Sequence, residues 1–418
     1  MPKNQTHKTM KKVKLIIALV LSLLFFTNCK KEADKTEKEP VKLEISNKTA
    51  ALISQNNAFG LNLFKVVASQ ETQNLMLSPM SASVALTMLL NGCESETYNQ
   101  INLMLGYPAD MNTTEINESY QSLVKQLLDA DETVELALAN SVFYKEGFQV
   151  KPPFLNAMQS GFSANIEALD FTLPQSIETI NKWAGDNTNG KITKVLDEID
   201  SDAVMFLMNA LYFKGEWTKK FEVSNTSQSP FTLSNGTVVQ VPTMNEPEMK
   251  AIYQSTSSFE AVEIPYGRKN FSMVIILPSG QLQDFYQEFT SQDWQQLTTT
   301  LDASTWSDIT IHMPKFKFDY EKFLNDQLKA LGMTDAFIPG IADLGNISDN
   351  DLYVDFVKQN TFVEVNEEGT EAAAVTTIGI DETSMGPSFT ADRPFIFAIR
   401  ERTSNTLMFI GAVSNPLE

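Results

Sequence analysis

Glu367-Glu368-Gly369-Thr370-Glu371-Ala372-Ala373-Ala374-Val375-Thr376-Thr377-Ile378-Gly379-Ile380-Asp381-Glu382-Thr383-Ser384-Met385-Gly386-Pro387-Ser388-Phe389-Thr390-Ala391-Asp392-Arg393-Pro394 lies between two strand-like runs, Asp355 to Val365 and Phe395 to Arg400. A connection this long is uncommon in a compact domain unless it has a function or is disordered. Its first half, Thr370 to Ile378, consists mostly of small and β-branched residues. Read as a strand, it puts Thr370, Ala372, Ala374, Thr376 and Ile378 on one face, because side chains alternate with period two. That face is uncharged and slim enough to lie in a sheet against a core. An Ala-rich surface loop or a short helix fits the same composition.

Outward from this loop the chain alternates helical and strand patterns. Ala51 to Ala68 has helical spacing, with Phe59, Leu63, Phe64 and Val67 on one side. Asn74 to Ser81 reads as a short strand, a Ser-Pro stop and a helix start, the helix closing at Asn91-Gly92. Helical patterns follow over Glu94 to Leu105, Glu115 to Leu128, the stretch after Pro152-Pro153, and Gln175 to Gly190. Strands are expected at Val134 to Tyr144, Asn165 to Phe171 and Ala203 to Phe213, the last apolar enough to be buried on both faces. Further strands are expected at Phe231–Leu233, Val238–Val241, Ala251–Tyr253, Phe259–Ile264, Phe271–Leu277 and Ile309–Phe318. Helices are expected around Leu282–Phe289 and Trp294–Thr300 and over Tyr320 to Leu331, with Pro394–Arg400 and Leu407–Val413 as closing strands. With no internal repeat and no linker after residue 40, the pattern describes one large α+β domain.

The N-terminus is different. Residues 1–28 hold five Lys and no acid, then an apolar run of 12 residues, Leu15 to Phe26, too short to span a bilayer. Cys29 follows directly, which resembles a bacterial lipoprotein signal cleaved before an acylated Cys, although Asn28 stands where a small residue is usual. An ordinary secretory signal is the alternative. Lipidation would place the protein on the cell envelope, at the outer membrane or cell surface, without a spanning helix. Without lipidation the protein would be secreted. Residues 29–46 are a charged tether and residues 47–418 the folded domain. If Cys29 is acylated, Cys93 has no partner for an intrachain disulfide and reads as a small buried residue.

The formal charge of −20 becomes more negative still without residues 1–28, which argues against nucleic-acid partners. After the signal only His312 remains as a histidine base, and it sits in a strand pattern. Its use by a hydrolase is the weakest reading. There is no nucleophile elbow, zinc cluster or phosphate-binding loop. No cofactor or metal is expected, and the chain does not read as an enzyme.

The hinge wording Glu367-Glu368-Gly369-Thr370-Glu371-Ala372-Ala373-Ala374 resembles that of serpins. Four more stretches carry the resemblance: Asn74 to Ser81, Ile180 to Ile192, Asn209 to Trp217 (Asn-Ala-Leu-Tyr-Phe-Lys-Gly-Glu-Trp) and Phe389 to Phe397 (Phe-Thr-Ala-Asp-Arg-Pro-Phe-Ile-Phe). Together they span roughly residues 48–416 in the family's order. The resemblance implies three β-sheets, eight or nine helices and an exposed reactive-centre loop, about residues 367–390. It also implies a monomeric suicide inhibitor that a serine protease attacks and that then inserts its cleaved loop into the main sheet. Loop insertion in serpins is a known instance of strand addition and of the release of stored strain, and it is the mechanism the resemblance implies. The fifteen residues Gly369 to Thr383 would carry the protease on the order of 50 Å.

The family spacing puts the reactive bond at Thr383–Ser384, with Glu382 and Met385 as neighbouring candidates. No Lys or Arg lies between Lys358 and Arg393, so elastase- or subtilisin-like targets are expected rather than trypsin-like ones, with papain-like cysteine proteases as a second class. Gly369 would serve as the hinge. Thr370, Ala372, Ala373, Ala374, Val375 and Thr376 would insert without charge or proline, and Glu371 would take the outer face. The resemblance assigns Ser78, Ser81 and Asn209 to the region where the sheet opens. Gln359 stands there where the family usually has His. Lys315 would pair with Glu367 beside Trp217. Val66 to Val124 contains no Lys or Arg, so heparin is not expected as a partner. A non-inhibitory member acting as a binding or carrier protein is the alternative function.

Overall fold

The computed structural model describes residues 39–370 and 387–418. Residues from Pro40 onward form one compact unit. Its first helix, α1 (Asn47–Ala68), is capped by Ser46, whose side chain accepts from the Thr49 N–H. It buries Leu52, Ile53, Phe59, Leu63, Phe64 and Val67. After β1 (Leu75–Leu77), α2 (Pro79–Leu90) starts at Ser78, whose hydroxyl accepts from the Ser81 N–H, with Pro79 in the first turn. α3 (Ser95–Leu105) and α4 (Thr113–Asp129) complete a helical layer. Then come β2 (Val134–Lys145), α5 (Pro152–Phe162), β3 (Asn165–Leu169), α6 (Pro174–Asn187) and β4 (Met205–Glu216).

β5 (Ser227–Thr232), β6 (Val238–Ser255), β7 (Phe259–Pro265) and β8 (Phe271–Pro278) follow, then α7 (Leu282–Glu288) and α8 (Ser291–Ala303). β9 (Ser307–Pro314), β10 (Phe316–Phe323), α9 (Asn325–Ala330), β11 (Lys358–Asn366) and β12 (Gly369–Thr370) lead to the loop. β13 (Ser388–Thr390), β14 (Phe395–Glu401) and β15 (Thr406–Val413) end the chain. β8, β14 and β15 are buried at every residue, which is why β8, β15 and the Phe395–Ile399 part of β14 read as largely apolar runs; the buried Arg400 is paired with Glu263.

Among the described residues the strands follow two hydrogen-bonded paths, because the long β6 pairs in two of the three expected sheets. One has the order β10-β11-β12-β4-β2-β3. The other runs β1-β15-β14-β8-β7-β6-β9-β13, with β5 also on β6. The runs Val238–Val241 and Ala251–Tyr253, expected as separate strands, belong to the single 18-residue β6, which joins what would be the second and third sheets. Its register shifts between Glu246 and Met249. This irregularity accommodates Pro247, which has no N–H for a regular ladder, and bends the strand from one partner set to the next.

Four expectations are corrected. Tyr320 to Leu331 is not a helix: β10 continues to Phe323 because all eight of its residues pair with β11, and only Asn325–Ala330 is helical. Ile309 to Phe318 is two strands in different sheets, β9 and β10. β4 is not buried on both faces throughout. Ala210 to Phe213 are buried, but Met205 and Leu207 to Asn209 are only partly so. β11 starts at Lys358 rather than Asp355, and Cys93 is buried, as a small core residue should be.

Candidate functional site

The site lies where β11 ends and the loop begins. Among the described residues β4 and β11 do not pair with each other; β12 stands between them. Val365 faces Thr370 and Asn366 faces Gly369 on one side, and Gly369 faces Glu216 and Thr370 faces Gly215 on the other. The loop's first two residues are therefore already a strand inside the sheet. Gly369 has φ +152°, and a Cβ there would lie 2.1 Å from the Gly215 carbonyl oxygen. Below β12 is a cavity lined by Met76, Leu211, Phe213, Val363, Thr370 and Phe409.

Side chains anchor this corner. Trp217 is buried and stacked on Tyr266 at 4.4 Å between ring centres, and its indole N–H donates to the Asn366 carbonyl at 2.9 Å. Glu367, only 2% exposed, accepts from the Thr226 hydroxyl at 2.7 Å and pairs with Lys315 at 2.8 Å. Burial opposes ionisation of Glu367, but the contacts with Lys315 and Thr226 outweigh it and hold its pKa below the ordinary carboxyl value. The Tyr266 hydroxyl bonds that of Thr370 at 2.6 Å. Lys220 pairs with Glu368 and, at 2.9 Å, with Glu216.

Further down the sheet, Gln359 binds the Ser78 backbone twice. Its Oε1 accepts from the Ser78 N–H, and its Nε2 donates to the Ser78 carbonyl, both at 2.9 Å. The Ser78 hydroxyl donates to the Met408 carbonyl at 2.9 Å and accepts from the Ser81 N–H at 3.1 Å. Ser78, Ser81 and Gln359 are thus brought together between β11, α2 and β15. Asn209 stands apart on β4, where its Nδ2 donates to Asn140 Oδ1 at 2.7 Å. Its own Oδ1 is buried without a partner among the described residues.

His312 lies on β9 opposite Asn245 and Thr390, and burial lowers its pKa. Among the described residues no hydroxyl or carboxylate bonds its ring, so no catalytic pair is assembled there. Glu371, Ala372, Ala373, Ala374, Val375 and Thr376, the reactive-bond candidates Glu382, Thr383, Ser384 and Met385, and residues 1–38, which hold the expected signal, Cys29 and the first part of the tether, lie outside the described residues. Sequence reasoning missed Tyr266, Lys220, Thr226 and Asn366. Their roles come from partners distant in the chain, and no local pattern marks them.

The arrangement is thus a six-stranded sheet whose two central strands, β11 and β4, are separated by the first residues of the loop. A sequence model described as "Serpin (serine protease inhibitor)" matches residues 54–416. The chain is 35% identical over 374 residues to the leukocyte elastase inhibitor of Xenopus laevis, covering 86% of this chain and 97% of that one. It is 31% identical over 430 residues to an uncharacterized serpin-like protein of Methanosarcina acetivorans, covering 97% and 99%. Among solved structures, the thermophilic serpin Tengpin in its native state superimposes with a TM-score of 0.80 at 30% identity, covering 90% of this chain and all of that one. Thyroxine-binding globulin in complex with thyroxine gives 0.78 at 26% identity, covering 88% and 99%. The chain belongs to the serpin family, a family of protease inhibitors.

Proposed function

We propose that this serpin is an irreversible suicide inhibitor of serine proteases, with papain-like cysteine proteases as a second target class. The observation that carries this reading is the separation of β4 from β11 by Gly369 and Thr370. Continued past Thr370, the two registers set Ala372 beside Phe213 and Val363, Ala374 beside Leu211 and Thr361, and Thr376 beside Asn209 and Gln359. These strand neighbours line the core side of the sheet, and the inserting residues are small and uncharged. Glu371 falls beside Lys214 and Glu364, both part-exposed, on the outer side. The Thr376 hydroxyl would arrive next to the unpartnered Asn209 Oδ1.

The chemistry is acyl transfer. The protease's serine oxygen attacks the Thr383 carbonyl carbon, the amide C–N bond breaks, and the Ser384 amine leaves with a proton from the protease's general acid. The loop then inserts before water can hydrolyse the ester. The absence of a basic residue near Thr383 favours elastase- or subtilisin-like targets. Residues 1–28 as an export signal, acylated Cys29 and the charged tether at 29–46 would display residues 47–418, as a monomer, on the cell envelope.

The test is to mix residues 30–418 with elastase, subtilisin, trypsin and a papain-like enzyme, run denaturing gels and weigh the released C-terminal peptide. A band of summed mass establishes trapping, and the peptide mass fixes the bond. The likeness to thyroxine-binding globulin favours a second reading, a binding or carrier serpin. Loop cleavage with neither a covalent band nor a gain in thermal stability would support it.

A further inference from the structure

We infer that Tyr266 and Lys220 are positioning residues that hold the loop's first two residues threaded into the sheet before any protease arrives, and so set how often an encounter ends in trapping. This rests on the inhibitory reading above. Three observations place them in this role. Thr370 is buried, and its hydroxyl has the Tyr266 hydroxyl as its partner at 2.6 Å. Tyr266 is itself fully buried and fixed between the stacked Trp217 ring and the edge of Phe213, so its hydroxyl is a rigid anchor. Lys220, in the segment after β4, binds Glu216 at the end of β4 and Glu368 in the turn between β11 and β12. It therefore bridges the two sides of the opening just above β12.

The consequence is kinetic. After acylation, insertion competes with hydrolysis of the ester. Inserting a strand means ordering its residues one after another, and each ordered residue costs conformational entropy. With Gly369 and Thr370 already paired on both sides, insertion starts from an existing strand end rather than from a free loop. Releasing them would lengthen the free loop, which leaves acylation no slower but delays insertion. An inhibitor altered at these residues should still be attacked, but more of it should be cleaved without trapping.

The experiment compares the full chain with Tyr266→Phe, Thr370→Val, Lys220→Gln and Lys220→Arg. The first readout is amide hydrogen exchange in the peptide spanning Asn366–Thr370, which needs no protease. Tyr266→Phe should speed exchange there by ~5-fold or more, as expected for one lost buried hydrogen bond. Thr370→Val should match it, and the double variant should be no worse than either single one. Lys220→Gln should give a smaller increase, which Lys220→Arg restores. The second readout is the number of inhibitor molecules consumed per protease trapped. Its excess over one should rise ~5-fold in Tyr266→Phe, with the acylation rate at or above that of the parent. A general packing defect would not produce that split. Unchanged exchange in both Tyr266→Phe and Lys220→Gln overturns the clasp. Faster exchange with an unchanged stoichiometry overturns its part in trapping. A parent protein that traps no protease refutes the inhibitory reading and the trapping role together, while exchange still decides the clasp.

Discussion

Ala374→Pro is the sharpest test of insertion, because its effect can be worked from the register. Continued into the sheet, position 374 lies between Leu211 on β4 and Thr361 on β11, both buried. In a strand paired on both sides its N–H must donate to one of these neighbours. Proline removes that donor and leaves a buried carbonyl acceptor unpaired, a cost of about 2 kcal/mol. If that cost falls on the insertion barrier, insertion slows ~30-fold. Consider a parent whose insertion outruns ester hydrolysis about tenfold: slowed ~30-fold, it traps only about one encounter in four and is cleaved as a substrate in the rest. The assay is titration of a fixed amount of protease followed by gel quantification of complex and cleaved inhibitor. Cleavage should remain fast while the covalent band falls several-fold. An undiminished covalent band in Ala374→Pro would refute insertion past residue 374.

Three further outcomes are expected. Glu367 has a lowered folded-state pKa, so its stabilising contribution is present above the ordinary carboxyl value of 4.5 and is lost as pH falls through the lowered one; thermal unfolding across pH 2–7 should show the parent's advantage over Glu367→Gln vanish on acidification, and a constant difference would refute the assignment. Gln359→Ala removes both bonds to the Ser78 backbone and should cost about 2–3 kcal/mol in denaturant unfolding; a cost near zero would mean that these bonds do not hold β11 to α2. Thr383→Arg supplies the cation that a trypsin-like pocket binds and should create a covalent complex with trypsin; cleavage at residue 383 with no covalent complex would move the reactive bond away from Thr383.

The parts of the fold legible in the sequence are those fixed by near neighbours. The fully buried strands β8 and β15 and the Phe395–Ile399 part of β14 are largely apolar runs, and the start of α2 is written in Ser78 and Pro79. Trp217, Lys315 and Glu367 are legible only through the family wording, and the structure brings them together. What is not legible depends on closure of the chain. Tyr266 meets Thr370 across 104 residues and Lys220 meets Glu368 across 148. The C-terminal end of β10 reads as helix because its strand character comes from pairing with β11 rather than from its own mixed charged and aromatic residues. β6 reads as two strands because its two prolines suggest breaks, yet Pro242 pairs in register with Gln228 and a register shift absorbs Pro247.

Gly369 shows how the two kinds of information meet. Its sequence suggests only a permissive hinge, and any turn would explain a glycine there. The structure gives a stronger reason. The residue turns the chain from β11 back into the sheet at φ +152°, pressed against Gly215 on β4. Gly215 is in turn backed by Phe213 and Tyr266, whose rings would lie 2.9 Å from any Cβ placed on it. The opening between β4 and β11 is therefore closed at its top by two glycines whose missing side chains let the loop's backbone pass between the strands. A side chain at either one would push the entering strand away from Tyr266, the residue whose hydroxyl secures Thr370. The geometry that permits entry and the hydrogen bond that begins it depend on the same few ångströms.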